Sequence, residues 1–329
     1  MLKYIEALRN TLHHLLEKDD SVYVIGEDIS EPYGGAFKVT KGLSEKFPER
    51  LIQTPMSEQA FTGMAIGMAL AGLKPIVEIM FGDFIALVVD QLINHASKFW
   101  DIYGKKLYLV LRTPSGGYRG YGATHSQSLE RIFMGIPGIK VVAPNILSDP
   151  GEVLRRSLYL GKPVVFIENK LDYGREILEK GVVDGVFTLS IYDTTFPVSK
   201  LKVLNESSEV SFITYGGMAQ ILRDVQRKLL FEEDITSEII ALTDISDYDV
   251  NLIVQLLESK NVLVVEESWS HFGWGSQVAL DLRLMANLEA KRVGARPFNI
   301  PAAEPLENYV LPTADRIFEE ALQMLSQEV

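Results

Sequence analysis

Five short runs, too continuously apolar for half-exposed strands, most constrain this chain: Val22–Glu27, Pro75–Met80, Leu107–Arg112, Ile139–Pro144 and Pro163–Glu168. A strand apolar along its whole length must be covered on both faces, and helical stretches between the runs supply the cover, so they predict a parallel sheet. The stretch Asp172–Glu206 breaks this character, with scattered polar residues and no helical period. The pattern resumes at Ser211–Tyr215, Glu238–Leu242, Asn261–Val265 and a late extended piece, Arg296–Pro301. Helices are expected between them at Met218–Leu230, Val250–Ser259 and Trp274–Ala286. The fold class is therefore α/β, with two doubly wound, mainly parallel sheet domains: 1–185, a linker at 186–207, and 208–329. A length of 329 residues at 47% hydrophobic is enough for two medium cores.

Composition removes several classes of function. A formal net charge of −12 leaves no basic face to displace counterions from phosphates, so no nucleic-acid partner is expected. The absence of cysteine excludes disulfides, zinc–thiolate sites, iron–sulfur clusters and cysteine nucleophiles. At the N-terminus, Leu2, Ile5, Leu8, Leu12, Leu15 and Leu16 fall at helical spacing with charges between them. Glu6 and Glu17 there are unlike a signal or transit peptide, and no segment is apolar for long enough to cross a bilayer. The expectation is a soluble, cytoplasmic protein with no membrane partner.

In open α/β sheets ligands sit beyond the carboxyl ends of the strands. The residues found there are Gly26, Glu27 and Asp28; then Gly82, Asp83 and Phe84; then the loop TPSGGYRGYGATHSQ, which combines Gly116, Gly117, Gly120 and Gly122 with Arg119, Tyr121 and His125. Glycines let a backbone approach a ligand, and a histidine exchanges protons near neutral pH. The same loop also reads as a flexible surface segment, and these residues alone do not choose. No P-loop, metal-ligand spacing or G-x-G-x-x-G fingerprint is present.

Glu58 has two readings as well. Thr54 and Pro55 look like an N-cap and a first-turn proline, so a glutamate soon afterwards would complement the helix dipole. The helix that follows, FTGMAIGMALAG, is almost wholly apolar, with Gly63 and Gly67 four apart, which suits a core or a subunit interface. A carboxylate at the head of such a helix is partly buried and needs a partner, and nothing local supplies one. His13 and His14 lie on the first helix, His95 sits in a helical stretch, and His271 follows a strand with no acid partner in sequence, so none is assigned.

The blocks GED, GGAFKVTKGLSEKFPERLIQTPMSEQAF, AGLKPIVEIMFGDF, DQLINHASK, THSQ, PGIKVVAP and PVVFIEN occur in order between about Tyr23 and Gly174. Together they resemble the beta subunit of the thiamin-diphosphate-dependent decarboxylase component of 2-oxo-acid dehydrogenase complexes. VEES, GWGSQVA and PAAEPLENYVLPT carry the resemblance more loosely into the second half, where TDISDYD replaces the family's usual arginine and proline.

The resemblance implies a thiamin-diphosphate-binding pyrimidine domain followed by a transketolase C-terminal-like domain. It implies that Glu58 hydrogen-bonds the aminopyrimidine ring nitrogen and shares its proton, that Phe84 packs on that ring, and that Met56 adds an apolar or backbone contact. His125 would lie by the thiazolium as the second catalytic residue. Leu87 stands where some relatives carry glutamine, so that contact does not transfer. The GDG segment that holds diphosphate and magnesium in thiamin-diphosphate enzymes is absent. By the resemblance, an alpha subunit brings it with Mg2+, in a two-alpha, two-beta assembly with beta–beta contact, and a lipoyl acyltransferase accepts the acyl group. The alternative is the pyrimidine-binding, C-terminal half of a split transketolase, because GATHSQ is close to that family's histidine loop and Arg112 or Arg119 would then meet a sugar phosphate. A non-catalytic interaction subunit is a third class, which retention of Glu58, Phe84 and His125 disfavours.

Overall fold

The computed structural model describes residues 2–326 and divides into two compact units. The first takes the chain up to Ser115 with Leu129–Pro144 and Asp149–Glu176; the second takes Gly116–Ser128, Asn145–Ser148 and everything from Ile177 onward.

The first unit is built on a six-stranded, wholly parallel sheet: β1 (Val22–Gly26), β2 (Leu51–Gln53), β3 (Lys74–Glu78), β4 (Val110–Ser115), β5 (Lys140–Val142) and β6 (Val164–Asn169), in the order β2-β1-β3-β4-β6-β5. Each of the five apolar runs overlaps a strand, though β4 starts only at Val110 and continues to Ser115 beyond its run, while β2, three residues long at the sheet edge, escaped the pattern. Every residue of β4 and β6 is buried, as cover on both faces requires. The helices are α1 (Tyr4–Lys18), α2 (Leu43–Lys46), α3 (Glu58–Leu70), α4 (Phe99–Tyr103) and α5 (Pro150–Tyr159). One face of α1 buries Leu8, Leu12, Leu15 and Leu16, each contributing about 1.5–3 kcal/mol of apolar transfer. Its close approach to α5 requires Gly151, because a Cβ there would lie 2.8 Å from the Ala7 carbonyl oxygen.

Near the carboxyl ends of the central strands lies a buried ion network. Arg112 of β4 donates through Nε to Glu168 Oε1 at 2.7 Å and through Nη2 to Glu168 Oε2 at 2.6 Å, while Nη1 meets Glu78 Oε2. The Tyr173 hydroxyl donates to Glu168 Oε2 at 2.5 Å. Burial opposes the Arg112 charge, yet Glu168 and Glu78 hold its guanidinium above its ordinary value. Burial outweighs the arginine at Glu78 and pushes that carboxyl up.

The second unit carries a seven-stranded mixed sheet: β7 (Gly181–Val183), β8 (Phe187–Tyr192), β9 (Val198–Val203), β10 (Val210–Tyr215), β11 (Ser237–Leu242), β12 (Val262–Trp269) and β13 (Ala290–Ala295), in the order β13-β12-β10-β11-β9-β8-β7. The four strands β13, β12, β10 and β11 are parallel; β9, β8 and β7 continue antiparallel. Its helices are α6 (Met218–Glu233), α7 (Val250–Leu256), α8 (Trp274–Ala286), α9 (Glu304–Val310) and α10 (Ala314–Ser326).

Two sequence expectations are corrected here. Residues 186–207 are not a linker, since β8 and β9 occupy most of them as a paired hairpin. In β8, Phe187 and Leu189 are buried while Thr188 and Ser190 are partly exposed, so the period-two alternation of a one-sided strand reads as a loss of apolar pattern. The late strand is Ala290–Ala295, not Arg296–Pro301; its first half, Ala290, Lys291 and Arg292, is only partly covered at the sheet edge.

Replacing Arg112 with methionine strands two buried carboxylates. The unfolding free energy should fall by about 3–5 kcal/mol in denaturant titrations, and further replacing Glu78 and Glu168 by apolar residues of similar volume should recover most of it.

Candidate active site

The carboxyl end of β1 is held by a 2.9 Å bond from the Thr54 N–H to the Gly26 carbonyl. Helix α3 begins three residues later than Thr54 and Pro55 suggested: Ser57 is the N-cap, without a side-chain cap bond, and Glu58 is the first helical residue. Glu58 is half-buried in the first turn of α3, where the helix dipole favours an acid. Its partner in electrostatics is Glu27, which follows β1 and is 5% exposed. Burial, then the Glu58 charge, then Asp28 and Glu78 push the Glu27 carboxyl up. Glu27 Oε2 has no hydrogen-bond partner among the described residues. A buried carboxyl oxygen without a donor beside a second carboxyl fits a site where a ligand donates or shares a proton. The signal in sequence was an acid directly after a buried strand, in GED, but nothing there showed that it faces Glu58.

Phe84 lies in a 3-10 turn, Gly82–Val88, directly after β3. Only glycine fits at 82, because a Cβ there would stand 3.0 Å from Ser115 Cα. The Phe84 ring meets Phe81 edge-on at 5.8 Å, Phe81 meets Phe37 at 5.6 Å, and Phe37 meets Tyr173 at 5.3 Å. This aromatic column runs from the candidate site to the Arg112 network through the Tyr173 hydroxyl. Met56, 86% exposed, precedes α3. Met56, Glu58 and Phe84 thus belong to the first unit; His125 belongs to the second.

The glycine-rich loop is anchored rather than slack. The Gly117 N–H donates to Glu267 Oε1 at 2.5 Å, and the Gly120 N–H to Glu307 Oε2 at 3.0 Å. Both acceptors are buried carboxylates, so these two amides are not offered to an anion. His125 donates its backbone N–H to the Gly122 carbonyl at 3.3 Å, and its Nδ1 lies 2.9 Å from Thr124 Oγ1. The Arg119 guanidinium lies over the Tyr121 ring at 5.4 Å. Arg112, offered by the sequence as a phosphate ligand, is 1% exposed and held between Glu78 and Glu168.

His271 is exposed beside Phe272, which is 94% exposed. After β11, the TDISDYD segment is a turn in which Asp244 accepts from the N–H groups of Ser246 and Asp247, both at 3.1 Å. Among the described residues, no cluster of three or more acid or histidine side chains stands ready for a metal, and no helix is long and apolar enough to cross a membrane.

Two family models match the chain in succession. Residues 1–176 match the transketolase pyrimidine binding domain, and residues 199–317 the transketolase C-terminal domain. The mitochondrial pyruvate dehydrogenase E1 component subunit beta of Saccharomyces cerevisiae is 33% identical, over 98% of this chain and 88% of the relative. The chain belongs to the pyruvate dehydrogenase E1 beta family. The Rickettsia conorii E1 beta subunit is also 33% identical, over 95% of both chains, and the Arabidopsis thaliana mitochondrial beta-1 subunit is 32% identical over 95% of this chain and 86% of its own. A split gene transketolase, solved as an inactive beta4 tetramer, shares the E1 beta fold with a TM-score of 0.74 at 21% identity, covering 99% of this chain and 98% of that one.

The Glu27 shift yields a pH prediction. A carboxyl raised in the folded state stabilises the chain fully below its unfolded pKa, near 4.5, and loses that contribution as pH rises through the folded value. Glu27→Gln should therefore be more stable than the natural chain at pH 8 and lose that advantage at pH 4, as read by thermal melts.

Proposed function

We propose that this chain is the beta subunit of a heteromeric 2-oxo-acid dehydrogenase, which decarboxylates pyruvate or a related 2-oxo acid and passes the acyl group to lipoamide. The observation that carries the reading is Glu58 at the first position of α3, against a buried and orphaned Glu27 oxygen, in a chain that matches E1 beta subunits along nearly its whole length. Thiamin diphosphate supplies, when bound, the nucleophilic carbon and the electron sink that decarboxylation requires. Glu58 would hold the aminopyrimidine ring nitrogen through a shared proton, Phe84 would offer an aromatic face to the ring, and Met56 an apolar contact. Burial and the neighbouring Glu58 push the Glu27 carboxyl up, which favours its protonated form at that edge. His125 is the proton-exchanging group for acyl transfer.

The diphosphate and its magnesium belong, on this reading, to an alpha partner, because the chain has no GDG segment. Association is supported by α3, whose outer face of Ala60, Met64, Gly67 and Ala71 is exposed and uncharged. The split-transketolase alternative loses one of its two candidate phosphate ligands, since Arg112 is held between Glu78 and Glu168.

Glu58→Ala should cut 2-oxo-acid turnover by at least about 10²-fold while leaving the melting temperature of the isolated chain within a degree or two. The assay is carbon dioxide release from a panel of 2-oxo acids with thiamin diphosphate and Mg2+, using the chain co-purified with its alpha partner. Near-normal release by the variant would overturn the assignment.

A Cβ at Gly67 would meet nothing within 4 Å, so Gly67→Arg should leave the folded chain at least as stable, helix propensity favouring it by up to about 1 kcal/mol. The same substitution should abolish assembly in sedimentation velocity if α3 forms the subunit interface.

A further inference from the structure

The loop Gly116–Ser128 is fastened at several points, and the fasteners are two acids that sequence reasoning did not single out. Glu267 of β12 and Glu307 of α9 are 5% and 2% exposed. Each gives an oxygen to one loop amide, Gly117 and Gly120 respectively. Glu307 Oε1 meets no hydrogen-bond donor among the described residues. Burying a carboxylate is costly, and packing alone would be served better by an apolar side chain of the same volume. A charge-assisted bond to a backbone N–H is about twice as strong as a neutral one, which is what holding a glycine-rich segment in one conformation requires.

The intervening geometry is consistent with a clamp. Tyr118 sits at φ 61, a left-handed conformation that L side chains resist, with its hydroxyl donating to the Pro312 carbonyl at 2.9 Å. Gly120 and Gly122 also have positive φ, and a Cβ at Gly120 would lie 3.1 Å from the Ala302 carbonyl oxygen. At the far end, the Ser268 hydroxyl donates to the Ser128 carbonyl at 3.1 Å. His125 therefore stands three residues from Gly122 on one side and three from Ser128 on the other, with its own N–H bound to the Gly122 carbonyl.

We propose that Glu267 and Glu307 are positioning residues, which clamp the backbone of residues 117–120 and thereby fix where the His125 imidazole stands. The catalytic half of this inference rests on the 2-oxo-acid dehydrogenase reading. Neither acid moves a proton; both act only through the loop.

The test uses the full assembly with its alpha partner and compares Glu307→Ala with Glu307→Gln. In Glu307→Ala, hydrogen–deuterium exchange of the loop peptide containing Gly117 and Gly120 should quicken about tenfold or more, with exchange elsewhere unchanged. The rate of His125 modification by diethyl pyrocarbonate should rise with it. kcat for the preferred 2-oxo acid should fall by about 10²-fold with KM unchanged, the cost of a misplaced group. Glu307→Gln keeps an oxygen for the Gly120 N–H and should recover most of all three. Unchanged loop exchange in Glu307→Ala overturns the clamp. Faster exchange with unchanged kcat overturns its role in positioning, as does a global rise in exchange that Glu307→Gln shares. If the natural assembly turns over no 2-oxo acid, the dehydrogenase reading falls, and exchange and His125 modification alone decide the clamp.

Discussion

The Arg112 guanidinium between Glu78 and Glu168 is the constraint on which the first unit depends. Three adjacent parallel strands, β3, β4 and β6, each contribute one member. Five donors in a rigid planar fork suit two carboxylates where an ammonium would not. Buried charge of this kind is weak evidence for stability, but it disfavours register slips, because a one-residue slip of any strand would turn its charged side chain to the other face and leave the others uncompensated. Tyr173 joins the network through Glu168, and Phe37, Phe81 and Phe84 stack outward from Tyr173. Phe84 is thus continuous with the network that fixes the sheet.

A related economy governs the second unit. Its parallel core of four strands has the same construction as the first sheet, but three antiparallel strands extend it. The ends of β12 present successive acids, Glu266, Glu267, with different tasks. Glu266 accepts the N–H groups of Trp274 and Gly275 at the start of α8, at 3.0 and 2.9 Å, where the helix dipole favours an anion. Glu267 turns instead to the loop amide of Gly117. Alternation of side chains along a strand is what sends neighbouring acids to opposite faces.

Much of this was legible in order of residues alone. Runs such as Pro163–Glu168 are mostly apolar because both faces are covered, so the parallel strands could be read directly, and the bounds of α8 match the expected helix. Failures occurred where burial is one-sided. Strand β8 alternates buried and partly exposed residues at its start and, with its partner β9, passed for a linker, and β2 is too short to carry a period. Glu58, Phe84 and His125 were singled out as candidates through their setting in recognisable blocks, whereas the proximity of Glu27 to Glu58 was not, because thirty residues of chain separate two acids that the β1 and α3 ends bring together.

Sequence by itself determined that the chain is α/β with two parallel-dominated sheets, that it lacks cysteine chemistry, and which family blocks it carries. Those properties are local: period, composition and ordered motifs survive without knowledge of contacts. Tertiary structure decided that Arg112 is an internal counterion rather than a phosphate ligand, that the glycine-rich loop is held by Glu267 and Glu307, and that Glu27 is a buried acid with an orphaned oxygen. Each of these depends on which charges share a low-dielectric interior, and that is fixed only when distant segments pack.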